Sequence, residues 1–227
     1  MAGEARDFAG RLTILLNNTI THGITLAAVE PSVVGRRLFL VACGISRRDR
    51  APQIIPVTLG KKDPTVFFKA AYRLGSDDQG NFLTVEESNL GLFLDREATQ
   101  LFAHWDYNRA PANNYPAAHL QVAGNSHVIA KICELARDRL QLQCPDRELR
   151  DAHFPVGGRR YRPTLEDVIE FLLTEQLVGG HPRADEEFSD SRANWETNQL
   201  RAAVRRNPRT AIAQLEVDGY VVSGGPS

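Results

Sequence analysis

Between residues 24 and 107 the chain is cut into short apolar, β-branched runs by reversals rich in Pro, Gly and Asp. A sheet satisfies that rhythm and long helices do not. The runs fall at 24–29, 37–45, 53–59, 66–74, 82–86, 90–94 and 100–107. Pro31 and Gly35 separate the first two, which predicts a hairpin. Pro56 lies inside the third, and a residue with no N–H to offer a ladder belongs at an edge or a bulge. The loop GSDDQG at 75–80 is a turn, because Gly and Asp tolerate the backbone angles a reversal demands.

The period then changes. Val128, Ile129, Ile132, Leu135, Ala136 and Leu140 form one helical stripe behind Ser126 as N-cap, and Pro145 closes it. A second helix follows Pro163: Thr164 caps it, Asp167 stands three residues on, and Leu165, Val168, Ile169 and Leu172 form its apolar face. The expected architecture is an α+β domain over residues 1–178, a bent and mainly antiparallel sheet with two packed helices. A linker at 179–194 leads to a helical C-terminal appendage at 195–227. In the appendage, helices at 195–206 and 208–217 break at Asn207-Pro208 and a strand-like 220–222 follows. Trp195, Leu200, Ile212 and Leu215 are expected to pack on the main domain, a fragment of a winged helix being the alternative.

Composition narrows the class. Apolar residues make up 42% and charged residues 24% of 227, which excludes a wholly disordered chain and a fibrous repeat. The longest clean apolar run, 38–43, is far below the roughly 20 residues of a membrane-spanning helix, so no membrane partner is expected. The acidic start MAGEARDFAG is unlike a secretory signal, and a cytoplasmic location is expected. Cys43, Cys133 and Cys144 show no CxxC spacing, against a disulfide framework or structural zinc. The net charge of −1 supplies no global field for a polyanion. Residues 31–62 nevertheless gather Arg36, Arg37, Arg47, Arg48, Arg50, Lys61 and Lys62 against Asp49 alone. Two readings fit: a strip facing nucleic acid, or a compositional bias in which arginine outnumbers lysine 23 to 4 along the chain.

Candidate chemistry lies in HWDYNRAP and the YPAAHLQ that follows. His104 and Asp106 are two apart on a strand and share a face. A reversal centred between Ala112 and Asn113 sets Asp106 across from His119, where a carboxylate can orient an imidazole for general acid or base work. The bland alternative has Asp106 and Arg109 tying the turn. The string AHLQVAG at 118–124 is echoed by AHFPVGG at 152–158. With a helix between them, the two strings suggest a βαβ unit with parallel strands, bringing His119 and His153 side by side. Two imidazoles serve phosphodiester cleavage, one taking a proton and one giving it.

The following GGRRYRP suits an anion: glycines let the backbone approach, a helix N-terminus follows, and Arg159, Arg160 and Arg162 offer forks to phosphate, with Arg109 a fourth candidate. Arg159 or Arg160 pairing with Glu166, Asp167 or Glu170 is the structural alternative. No P-loop, GxGxxG, GxSxG or HExxH motif is present, so no cofactor and no metal is expected.

HFPVGGRRYRPTLEDVIEFL at 153–172, with HWDYNRAP upstream and RAAVRRNPRTAIAQLEVDGY near the end, resembles a family of uncharacterised bacterial proteins, mainly actinobacterial, and implies no activity. DYNRAPANNYPAAH is similar to the TumE-like toxins of toxin–antitoxin pairs through Asp106, Tyr107, Asn108, Ala110, Pro111, Pro116 and His119. The chain departs from them in carrying one histidine where they cluster several, and in its greater length. The expected function is a nucleic-acid phosphodiesterase of toxin or mobile-element defence type, with His119 and His153 as acid and base. The rival is a noncatalytic partner of a protein encoded nearby, recognised through the Arg, Tyr and Trp of the same segments.

Overall fold

The computed structural model describes residues 1–31, 38–57, 64, 66–77, 80–112, 114–124, 127, 134, 148–156 and 162–224. Helix α1 (Ala2–Thr19) precedes β1 (Leu26–Val29), β2 (Phe39–Cys43), β3 (Ile55–Val57), β4 (Val66–Ser76), β5 (Leu83–Phe93), β6 (Leu101–Asn108) and β7 (Ala118–Val122). A 3₁₀ turn (Leu149–Asp151), β8 (Phe154–Pro155), α2 (Leu165–Thr174), α3 (Ala184–Arg206) and α4 (Pro208–Val217) complete it. The fold is α+β. Eight strands form one bent antiparallel sheet in the order β1-β2-β4-β5-β6-β7-β8, which is not closed. Strand β3 lies beside β2 on the same side of β4, pairing Pro56 with Phe67. Its only partner among the described strands is β4, the edge setting that proline requires.

The expected hairpin is present, with Leu26 opposite Cys43 and Val29 opposite Leu40. The runs at 82–86 and 90–94 are one strand, β5, whose register slips at Arg73/Leu74 of β4. A bulge there carries the polar EES stretch without breaking the ladder. Helix α1 was not among the expected elements. Its buried stripe Ala5, Ala9, Leu12, Leu15, Leu16 and Thr19 is helical in spacing, but Met1 caps with no side-chain hydrogen bond and the start signal is therefore missing.

One sheet face forms the core. Val41, Phe68, Ala70, Tyr72, Leu90, Trp105 and Ala118 are buried on it. Phe8 of α1 meets Tyr72 edge-on at 5.2 Å, and Phe171 of α2 meets Trp105 at 5.7 Å. Helix α2 matches its reading: Thr164 Oγ1 accepts from the Asp167 N–H at 3.0 Å and Asp167 Oδ2 accepts from the Thr164 N–H at 3.1 Å. Leu165, Val168, Ile169 and Leu172 are all buried, each contributing about 1.5–3 kcal/mol by leaving water. The helix expected over 126–140 lies outside the described residues, save His127 and Glu134, which are helical. Cys133 and Cys144 lie outside them as well, while Cys43 is half-buried and its burial pushes the thiol up.

Two compact units divide the chain, residues 1–184 and 185–227. Helix α3 starts at Ala184, so most of the expected linker is helical. Its charges explain this: Asp185, Glu186 and Glu187 sit in the first turn and Arg205 and Arg206 in the last, each stabilised by the helix dipole. Helix α4 has the expected bounds, with Pro208 in its first turn. Residues 220–222 are irregular rather than a strand. No helix among the described residues is long and apolar enough to cross a membrane.

Candidate active site

Register builds the site. Ala27, Ala42, Ala71, Asn89, Asp106, His119 and Pro155 stand directly opposite one another in turn, one transverse row across seven strands. Opposed residues of an antiparallel pair share a face, so this row lies on the face away from α1 and α2. The expected Asp106–His119 opposition is present. A row beside it pairs His104 with Gly91 and Gln121. Glycine there keeps the floor beside His104 low: a Cβ on Gly91 would lie 3.5 Å from the His104 Cβ and 2.9 Å from the Phe93 ring.

The histidines converge. The rings of His119 and His153 are 4.7 Å apart, and His104 lies 6.5 Å from His119. Tyr115 stacks on His153 at 3.8 Å with 19° between planes. The expected parallel βαβ arrangement is corrected: β7 and β8 are antiparallel, with Leu120 opposite Phe154. The 3₁₀ turn sits against the end of β7, where Gln121 Nε2 donates to the Arg150 carbonyl at 3.0 Å. Strand β8 therefore starts where β7 finishes and runs back along it. His153, one residue before Phe154, still reaches the His119 face.

Asp106 holds a different partner from the one expected. Its Oδ2 is 2.9 Å from His104 Nδ1 but 3.9 Å from His119 Nε2, and Asn89 Nδ2 donates to its Oδ1. Burial pushes the Asp106 carboxyl up, but the hydrogen bond and charge of His104, the Asn89 amide and the charge of His119 outweigh it and hold the group below the ordinary carboxylate range. His119 is oriented by a main-chain group instead, its Nδ1 lying 3.1 Å from the Pro116 carbonyl. A carbonyl only accepts, so Nδ1 carries the hydrogen and Nε2 is the nitrogen left to exchange a proton.

The arginines are distributed otherwise than expected. Arg159 and Arg160 lie outside the described residues. Arg162 acts on the buried Tyr72, on the helix-covered side of the sheet, and does not join the histidines. There burial raises the Tyr72 phenol, Arg162 opposes it and Glu166 adds to it. Arg109 Nη1 donates to Thr84 Oγ1 at 2.9 Å, fastening the β6–β7 loop to β5, and is absent from the cleft lining. The cations that do line the cleft are Arg50 and Arg73. Arg50 belongs to the basic strip of residues 31–62. Arg73 follows Lys69 and Ala71 at the two-residue period of β4, a signal that alternation carries.

A cleft of about 410 Å³ lies over the sheet, with His119, Tyr115, Pro116 and Pro111 at one end and Leu40, Ala42, Ile45, Arg50 and Pro52 at the other; Asp106 and Asn89 line it between them, and His104 and His153 do not. Among the described residues no group of three His, Cys, Asp or Glu side chains is arranged to hold a metal ion. A second imidazole pair, His22 and His181 with rings 4.3 Å apart, ties the segment after α2 to the end of α1, with His181 Nε2 3.2 Å from the Thr21 carbonyl. No family model, no curated protein and no solved structure matches the chain.

Proposed function

We propose that the protein is a nucleic-acid phosphodiesterase of toxin or mobile-element defence type, working through His119 and His153. The observation that supports this most is the 4.7 Å approach of the two rings, His119 lining the end of an open cleft and His153 packed behind it against His119 and Tyr115. His119 Nε2 takes a proton from the attacking oxygen, that of a ribose 2′-hydroxyl in RNA or of a water molecule in DNA, as it bonds to phosphorus. The bond to the leaving oxygen breaks, and protonated His153 gives that oxygen its proton. A proton accepted at His119 Nε2 comes to rest 3.9 Å from the Asp106 carboxylate, which compensates the new charge. Asp106 and His104 are positioning residues in this scheme, and Tyr115 holds the His153 ring by stacking.

Cleavage of labelled RNA and single-stranded DNA in the presence of EDTA tests the proposal. His119→Ala and His153→Ala are each expected to lower the rate by about 100-fold or more while the fold survives. Folded wild type that cuts neither, with or without added metal, overturns it. The noncatalytic partner reading then stands first. It is favoured by the C-terminal unit, where Leu200 is 67%, Val217 80% and Tyr220 66% exposed.

A further inference from the structure

The cleft that ends at His119 continues across the sheet to β2, and its far half has a different chemistry. Ala42 and Ala71 stand opposite each other there, in the same transverse row as Asn89, Asp106 and His119. Ala42 is buried, packed with Val29 and Ile45, while Ala71 is half-buried, and its short side chain leaves a low floor between them and Asn89. Leu40, Ile45 and Pro52 make that end apolar. Arg50 stands exposed at the rim, with no hydrogen bond or ion pair of its guanidinium among the described residues, whereas Arg73 is already paired with Glu87.

A low apolar floor beneath a planar cation suits an unstacked nucleobase. The base has a π face on either side, one for the floor and one for a guanidinium to stack on. Distance decides which base. Three strand steps separate Ala71 from His119 and four separate Ala42, about 14 and 19 Å at roughly 4.7–4.9 Å per step. The base attached at a phosphate held by His119 does not reach so far, and that of a neighbouring nucleotide does. We infer that the β2–β4 half of the cleft is a base-binding subsite for a nucleotide adjacent to the scissile phosphate of a single-stranded nucleic acid, an inference that rests on the phosphodiesterase reading of the histidine end. A duplex is excluded from it, since its bases present no free face.

Binding and chemistry are tested separately on the full chain. The probe for binding is a fluorescein-labelled adenine hexanucleotide, as RNA and as DNA, beside the same chains with the two central bases replaced by abasic residues. Anisotropy is read in a His119→Ala background, where the cleavage proposed here is suppressed. The intact chain is expected to bind about 10-fold tighter than the abasic one, in at least one sugar series. Arg50→Ala and Ala71→Phe, added singly, should each bring that ratio towards one. With His119 restored, the wild type should cleave the intact chain faster than the abasic one, and Arg50→Ala should narrow that difference. Arg50 is exposed, so its removal leaves folding intact even where the larger Ala71→Phe does not.

Equal binding of intact and abasic chains in both series, or a ratio that Arg50→Ala leaves unchanged, overturns the subsite. A wild type inert towards every diester that still binds in a base-dependent way overturns the phosphodiesterase reading and supports the subsite. The two failures are thus told apart.

Discussion

Replacing Asp106 by Asn changes charge without changing shape, and its consequences follow from three contacts. Asp106 Oδ1 accepts from Asn89 and can do so still as an amide oxygen, which leaves the new NH₂ aimed at His104 Nδ1. An NH₂ only donates, so His104 must give up its Nδ1 hydrogen and move to the other tautomer. A hydrogen bond to an ionised group, about 1.5–3 kcal/mol, is thereby exchanged for a neutral one of about 0.5–1.5. The expected loss is about 1 kcal/mol at pH 7. For a chain of this length that lowers the melting temperature by about 2–4 °C. The pH dependence has a definite sign. The folded-state pKa of Asp106 lies below its ordinary value, so the folded protein holds the carboxylate more firmly than the unfolded chain does. That stabilisation is fully present above the unfolded value, roughly pH 4, and is lost as pH falls through the folded one. Urea unfolding of wild type and variant at pH 7, 5 and 3 measures it. The gap should be largest at pH 7 and 5 and narrow at pH 3. A gap that widens at pH 3, or a variant as stable as wild type at pH 7, refutes the assignment of Asp106 as a carboxylate anchored by His104 and Asn89.

Three further outcomes are expected. Phe68→Ala removes the largest fully buried side chain among the described residues and should cost about 3–5 kcal/mol by chemical unfolding. Thr164→Ala deletes the cap that receives the Asp167 N–H and should cost about 1 kcal/mol, seen in the same assay. Gly44→Ala should destabilise by roughly 1–2 kcal/mol, the cost of holding a side chain at the φ of +71° of Gly44, while the exposed Gln53 side chain swings aside; a melting curve unchanged from wild type would refute this.

Signals carried within a few residues were legible before any coordinates. Pro56 assigned its run to an edge, Thr164 and Asp167 marked the start of α2, and the turn between Asn108 and Ala118 set Asp106 against His119. Each rests on a backbone angle, a missing N–H or a register fixed by one short loop, all local properties. The α+β class follows from the same signals, since period two gives way to period three and four along the chain. Helix α1 escaped because its stripe has no capping side chain to announce it.

The direction of β8 and the destinations of the arginines were decided only by tertiary structure. A repeated AH motif describes two strands but not which end the chain returns from, and the 3₁₀ turn packed against the end of β7 made the pairing antiparallel. Arg162 reads as a fork for phosphate and Arg50 as one cation of a basic strip, yet the first acts on buried Tyr72 beneath the helices and the second lines the open cleft. Asp106 likewise chose His104 over His119 by one ångström of separation, 2.9 against 3.9 Å. Such choices depend on which sheet face the helices cover, a burial spread over residues far apart in the chain, and no short window of sequence contains it.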